Sequence, residues 1–118
     1  MTEKTKRRWG HYFVLNEGVT ISENYKIKML HLDPMKSISK QYHNQREEYW
    51  VIMQGVCELS LDSNIMIRRR GDMIQIPKRT IHKVTNIGNE ELIILELQIG
   101  EETQEEDIVR LEEINGEI

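Results

Sequence analysis

A single cysteine, Cys57, leaves this chain without an internal disulfide. It stands between Val56 and Glu58 in a strand-like run, which reads as an inert buried thiol. One thiol with no partner also argues against a sulfur-rich structural zinc site. No apolar run approaches the ~20 residues of a membrane-crossing helix, and the opening residues Met1 to Lys4 lack a signal-peptide core. The expectation is a cytoplasmic protein with no membrane contact. Basic residues form one compact run, Arg68 to Arg70, with no second stripe and no interleaved aromatics, so no nucleic-acid partner is expected. Repeats, linkers and low-complexity segments are missing too. That leaves one domain over residues 1–118, with residues 1–8 as a flexible or partner-contacting N-terminal arm.

What is present fits a globular domain with one core: 38% hydrophobic and 31% charged residues, with a net charge of −4. Lys4, Lys6, Arg7 and Arg8 near the start, and Glu101, Glu102, Glu105, Glu106 and Asp107 near the end, read as two solvated surfaces. The middle of the chain reads as strands. Tyr25 to Met29 alternates polar and apolar positions, and the runs Tyr49 to Met53 and Leu92 to Leu95 are apolar and rich in β-formers. Turns are expected at Asp62 to Asn64 and Asn86 to Asn89, corners at Gly55 and Gly71, and a strand end or edge at Pro77. Between residues 25 and 98 there is no helical stripe. Glu105 to Glu113 fits either a helical face or an irregular arm. Many short strands with punctuating turns favour a closed or double-sheet β structure with a cavity at one mouth.

Four candidate metal ligands fall in two clusters. Gln41 and His43 are two apart and leave one face of a strand. Glu48 follows across the polar corner Asn44 to Glu47 and returns from a neighbouring strand, and His82 lies beyond Pro77 at the mouth of a hairpin. Imidazole, carboxylate and amide oxygen together suit one divalent ion such as Zn, Mn, Co or Fe. Glu47 would face away from Glu48. The remaining histidines, His11 and His31, belong to no comparable cluster and receive no role.

These stretches resemble the cupin superfamily. One signature runs from Met35 through Gln41, His43 and Glu48 to Gly55; a second runs from Gly71 through Pro77 and His82 to Asn86. The chain looks more closely like the phosphomannose isomerase domain that also forms the C-terminal part of bifunctional mannose-1-phosphate guanylyltransferases. The narrower likeness rests on Arg8 to Tyr12, Tyr25 to Lys28, Gln41 to Val51, Leu95 to Gly100 and Asp107 to Arg110, and covers roughly residues 7–113. It implies an all-β, cupin-type double-stranded β-helix (jelly-roll barrel). It also implies that Gln41, His43, Glu48 and His82 hold the metal, with Gln41 in place of the usual cupin histidine leaning toward sugar-phosphate isomerases. Met35 and Arg79 replace glycines of the two signatures, Asn44, Gln45 and Tyr49 stand where the family has histidines, and Gln104 replaces another glycine.

The activity implied is interconversion of mannose 6-phosphate and fructose 6-phosphate. No nucleotidyltransferase domain is recognisable, so GDP-mannose synthesis is not expected. The residues alone do not identify the base; Glu96, on the last long strand with Gln98 on the same face, is the first carboxylate to test. Arg46 is the first choice for the substrate phosphate and for a catalytic role, with Lys28 and Arg110 as further candidates. Trp9 and Trp50 read as packing residues. A small sugar phosphate and a second copy of the chain, in a homodimer, are the partners implied. Two alternatives stay open: a metal-containing sugar-binding cupin without turnover, or a cupin enzyme acting on another small substrate.

Overall fold

The computed structural model describes residues 3–111, most of them in strands. In chain order these are β1 (Lys4–Arg7), β2 (Gly10–Val19), β3 (Asn24–Leu32), β4 (Ser37–His43), β5 (Arg46–Gln54), β6 (Val56–Leu61), β7 (Asn64–Arg69), β8 (Met73–Ile76), β9 (His82–Asn86), β10 (Leu92–Gly100) and β11 (Ile108–Arg110). A single 3-10 turn, Glu105–Asp107, precedes β11, so the described part of the ambiguous C-terminal stretch is a turn and a strand; Glu112 and Glu113 lie outside the described residues. Among the described residues no helix is long and apolar enough to cross a membrane.

Antiparallel ladders assemble two sheets, one in the order β1-β2-β3-β10-β5-β8 and the other β11-β4-β9-β6-β7. The ladders do not close them into one cylinder, so the barrel expectation holds only as two sheets facing one another. The stretch expected as an arm contains β1, which pairs with β2 from Lys4 opposite Phe13 to Arg7 opposite Gly10. Residues 1 and 2 lie outside the described part.

The period-two alternation read in the sequence sorts side chains between interior and exterior. It also hides a second pattern, along the strands. On β10 the inward positions pass from Leu92 and Ile94 to Glu96 and Gln98. On β3 they pass from Leu32 and Leu30 to Lys28 and Lys26, and on β5 from Ile52 and Trp50 to Glu48 and Arg46. The registers align these gradients: Leu92 faces Leu32, Ile94 faces Leu30 and Ile52, and Glu96 faces Lys28 and Trp50. One half of the interior is therefore a dry core, joined by Cys57, Leu59, Ile76 and Val84. The other half is lined by polar groups. Burial pushes the Cys57 thiol up to about 11, as expected for an inert residue.

Three devices tie the sheets and their crossover corner together. The corner between β4 and β5 crosses from one sheet to the other, and the Asp107 carboxylate accepts from the amides of Asn44 (3.2 Å) and Gln45 (2.9 Å). Gly100 packs so closely there that a Cβ would sit 2.1 Å from the Gln45 carbonyl oxygen. Fully buried Asn86 donates Nδ2 to the carbonyls of Leu32 and Glu90, both at 2.9 Å, and accepts from the Gly88 amide, linking the two sheets.

Met35 and Arg79, which stand where the resembled signatures have glycine, both keep the left-handed backbone, with φ of 67° and 63°. That conformation aims the Arg79 amide at the His43 carbonyl, 2.8 Å away. Arg79 is exposed and its side chain loses little by removal. Arg79→Gly is expected to raise the unfolding free energy by about 1 kcal/mol through relief of this conformation, as measured by urea denaturation. A stability loss would mean that the side chain, and not the backbone angle, matters at this position.

Candidate metal centre and cleft

Both sheets contribute to one cleft at the polar end. From the five-stranded sheet come Gln41 and His43 on β4 and His82 on β9; from the six-stranded sheet come Arg46 and Glu48 on β5 and Glu96 and Gln98 on β10. Glu48 thus arrives from the opposing sheet, not from a strand laddered to β4, and His82 follows a crossover between sheets instead of a hairpin. The ligand atoms of His43, Glu48 and His82, all buried, lie within 4.8 Å of one another. Gln41 is the ladder partner of His82 and shares the inward face of β4 with His43. The cleft is open to solvent and has a cavity volume of about 100 Å³.

The donor set fits a divalent cation on geometric grounds. His43 Nδ1 lies 3.2 Å from the Asp107 carbonyl oxygen and His82 Nδ1 lies 3.0 Å from that of Thr80. A carbonyl only accepts, so both Nδ1 atoms carry the proton and both Nε2 lone pairs are left for a ligand. His43 Nε2 and Glu48 Oε2 approach to 3.2 Å, close to one edge of a coordination shell with ~2.0–2.2 Å bonds. Two such electron-rich atoms call for a positive group between them. Arg46 supplies part of it, with Nε 3.0 Å from Glu48 Oε2 and Nη2 3.4 Å from His43 Nε2. The buried Gln98 Oε1 has no hydrogen-bond partner, leaving one more oxygen for a bound ligand.

Electrostatics prepare the same set. Burial, with Arg46 and His82 nearby, lowers the His43 pKa to about 4 against the opposing pull of Glu48, so the ring is neutral at pH 7. Burial penalises the Glu48 carboxylate, but His43, Arg46 and His82 outweigh it and hold its pKa down to about 2. Burial and the Glu48 charge push Glu96 up to about 8, against Lys28, Arg46 and the bond from Gln98. At pH 7 one carboxyl is ionised and its neighbour is largely protonated. Trp50 Nε1 lies 3.1 Å from both Glu48 Oε1 and Glu96 Oε2, and Gln98 Nε2 donates to Glu96 Oε1 at 2.6 Å.

All the remaining site residues expected from sequence line the cleft. Arg46 is buried and also donates to the Gln104 carbonyl at 3.2 Å, so its guanidinium is turned to the ligands. Lys28 is buried with Nζ 4.3 Å above the Tyr12 ring. Arg110, opposite Gln41 on β11, is exposed at the rim.

Sequence reasoning missed several contributors. Arg7 and Arg8, read as surface charge, line the cleft, and Arg7 Nη2 donates to the Tyr12 hydroxyl at 3.4 Å. Asp107, read the same way, holds the ligand-bearing corner. Trp50 packs as expected, but its indole N–H also joins the two carboxyls; its same-face spacing from Glu48 was the available signal. His11 and His31 need correction: they come together with Glu91 as a second potential ligand group. Ladder register makes that grouping, and no local motif announces it.

Trp50→Phe keeps the aromatic volume while removing the shared donor. Divalent-metal affinity is expected to fall about 10- to 100-fold, as for other outer-sphere partners of ligands, measured by competition with a chromophoric chelator. Unchanged affinity would show that the indole N–H does not orient Glu48.

Comparison with known proteins places this geometry in a family. The model described as "Mannose-6-phosphate isomerase C-terminal" matches residues 1–113. Alginate biosynthesis protein AlgA of Pseudomonas putida is 31% identical over 110 residues, covering 93% of this chain and 22% of that protein. Mannose-1-phosphate guanylyltransferase ManC of Salmonella typhimurium is 28% identical over 118 residues, covering 100% and 24%. The chain thus spans under a quarter of the length of these relatives. Among solved structures, a double-stranded β-helix protein from Klebsiella pneumoniae superposes with a TM-score of 0.68 at 18% identity, covering 86% of this chain and 83% of that one. Oxalate decarboxylase of Bacillus subtilis gives 0.78 at 18%, covering 93% and 30%; at such identities these likenesses concern the fold alone. With residues 1–113 of this chain matched by the family model on a cupin-like double-stranded β-helix, the chain belongs to the mannose-6-phosphate isomerase C-terminal family.

Proposed function

We propose that this chain is a metal-dependent isomerase that interconverts mannose 6-phosphate and fructose 6-phosphate in the cleft. The observation that carries the reading is the placement of Glu96: a buried carboxyl that shares the Trp50 indole N–H with Glu48, beside the His43, Glu48 and His82 cluster. Gln41, His43, Glu48 and His82 would hold one divalent ion, Zn, Mn, Co or Fe. When bound, such an ion supplies a Lewis acid that polarises the sugar carbonyl and its neighbouring hydroxyl. Membership of the family supports the substrate.

Isomerisation moves one proton between adjacent carbons. Glu96, as the carboxylate, accepts it from C2 of the aldose and returns it to C1, while the hydroxyl proton passes from O2 to O1, leaving C2 as the carbonyl of the ketose. A carboxyl whose two forms are close in energy serves both directions. Trp50 and Gln98 hold Glu96 in place for this transfer. Arg46 keeps Glu48 ionised and, with Lys28, offers positive charge toward the substrate, while Arg110 at the rim suits the phosphate. The same reading includes a homodimer in the cytoplasm, which solution mass and fractionation would test.

A coupled assay of ketose formation from mannose 6-phosphate, on protein loaded with Mn, Zn or Co, tests the proposal. His82→Ala is expected to lose bound metal and turnover together. Glu96→Gln should retain the metal while kcat falls about 10²- to 10⁴-fold, and Arg110→Ala should raise KM with kcat largely kept. Tight sugar-phosphate binding without turnover in folded, metal-loaded protein would reject the enzyme and favour the binding-protein alternative.

A further inference from the structure

We propose that His11, His31 and Glu91 form a second site for a divalent transition-metal ion such as zinc, on the outer face of the six-stranded sheet. His11 on β2 and His31 on β3 are direct ladder partners, with rings stacked at 4.5 Å and 11°. Glu91, just before β10, brings Oε1 to 2.9 Å from His31 Nδ1. One ligand atom from each of the three lies within 4.8 Å of the others. Two imidazoles and one carboxylate are a well-suited donor set for such an ion, with water completing the shell.

The site is separate from the cleft. On β2 and β3 the cleft receives Tyr12, Lys28 and Leu30; His11 and His31 occupy the alternate positions and project from the opposite face. Rigid backbone holds the ligands. The Glu91 carbonyl accepts from Gln54 Nε2 at 3.0 Å, the Glu90 carbonyl accepts from Asn86, and Gly10 lets β2 approach the His31 carbonyl where any Cβ would collide. Phe13 stands edge-on to both rings, 5.4 Å from His11 and 5.6 Å from His31. Asp33 adds negative potential at His11, and Lys4 opposes it. All three ligands are half-buried, so an ion can enter from solvent. An ordinary hydrogen-bonded His31–Glu91 pair has no need of a second imidazole stacked beside it. An ion here would pin β2, β3 and the start of β10 to one another and stabilise the folded chain by mass action. Its role is structural, since the sheet separates it from the cleft.

The test is zinc stoichiometry on the full chain after chelator treatment, by calorimetric titration of wild type, His82→Ala and His31→Ala. Wild type is expected to bind two equivalents and each variant one. Loss of the only equivalent in His31→Ala, with no effect of His82→Ala, would support this site and reject the metal reading of the cleft. Two equivalents retained by His31→Ala, or a single one lost only by His82→Ala, would overturn the proposal. Imidazole nitrogen NMR of unmutated protein covers a variant that fails to fold: zinc should shift both His11 and His31, and unmoved resonances at saturating zinc would also overturn it.

Discussion

A charged carboxylate in a nearly dry interior is the constraint on which the polar half of this fold depends. Glu48 is 2% exposed, and desolvation alone would protonate it. Arg46, two residues away on the same face of β5, is equally enclosed and donates Nε directly to it. Neither group is tolerable there without the other. The ionised Glu48 then raises the pKa of Glu96, gives the Trp50 indole an acceptor, and confronts the His43 lone pair. Most of the chemistry of the cleft follows from one ion pair placed where the two sheets meet.

Much of this was legible in the sequence because it is local. Alternation over Tyr25 to Met29 marked β3, Pro77 ended β8, and Asp62 to Asn64 turned β6 into β7. Gln41 and His43 could be assigned to one face because the pleat repeats every two residues. The long-range placements were not legible. Nothing near Glu48 says that the corner before it leaves one sheet for the other. Nothing near Asp107 says that its carboxylate will hold that corner from more than sixty residues away. His11, His31 and Glu91 are brought together by ladder register, which depends on the whole sheet.

Residue type and backbone angle also part company. Met35 and Arg79 look like losses of two signature glycines, yet the chain keeps the angles those glycines would supply. Hydrogen bonds from Met35 to the Asn86 carbonyl, and from Arg79 to that of His43, maintain the loops in spite of the side chains. A motif glycine therefore specifies a φ value more than an identity, and surrounding bonds can enforce it on another residue at modest cost.

The grading of the interior from hydrocarbon to ionisable groups separates two tasks along one set of strands. Cohesion resides with Leu32, Ile52, Leu92 and Ile94, and recognition resides a few positions further along the same backbones. Selection can thus rewrite the recognition end without disturbing what keeps the sheets together. The converse also follows. Greasing the reactive end with leucines would give a sturdier and chemically silent protein, because buried charge is retained for reactivity at the expense of robustness.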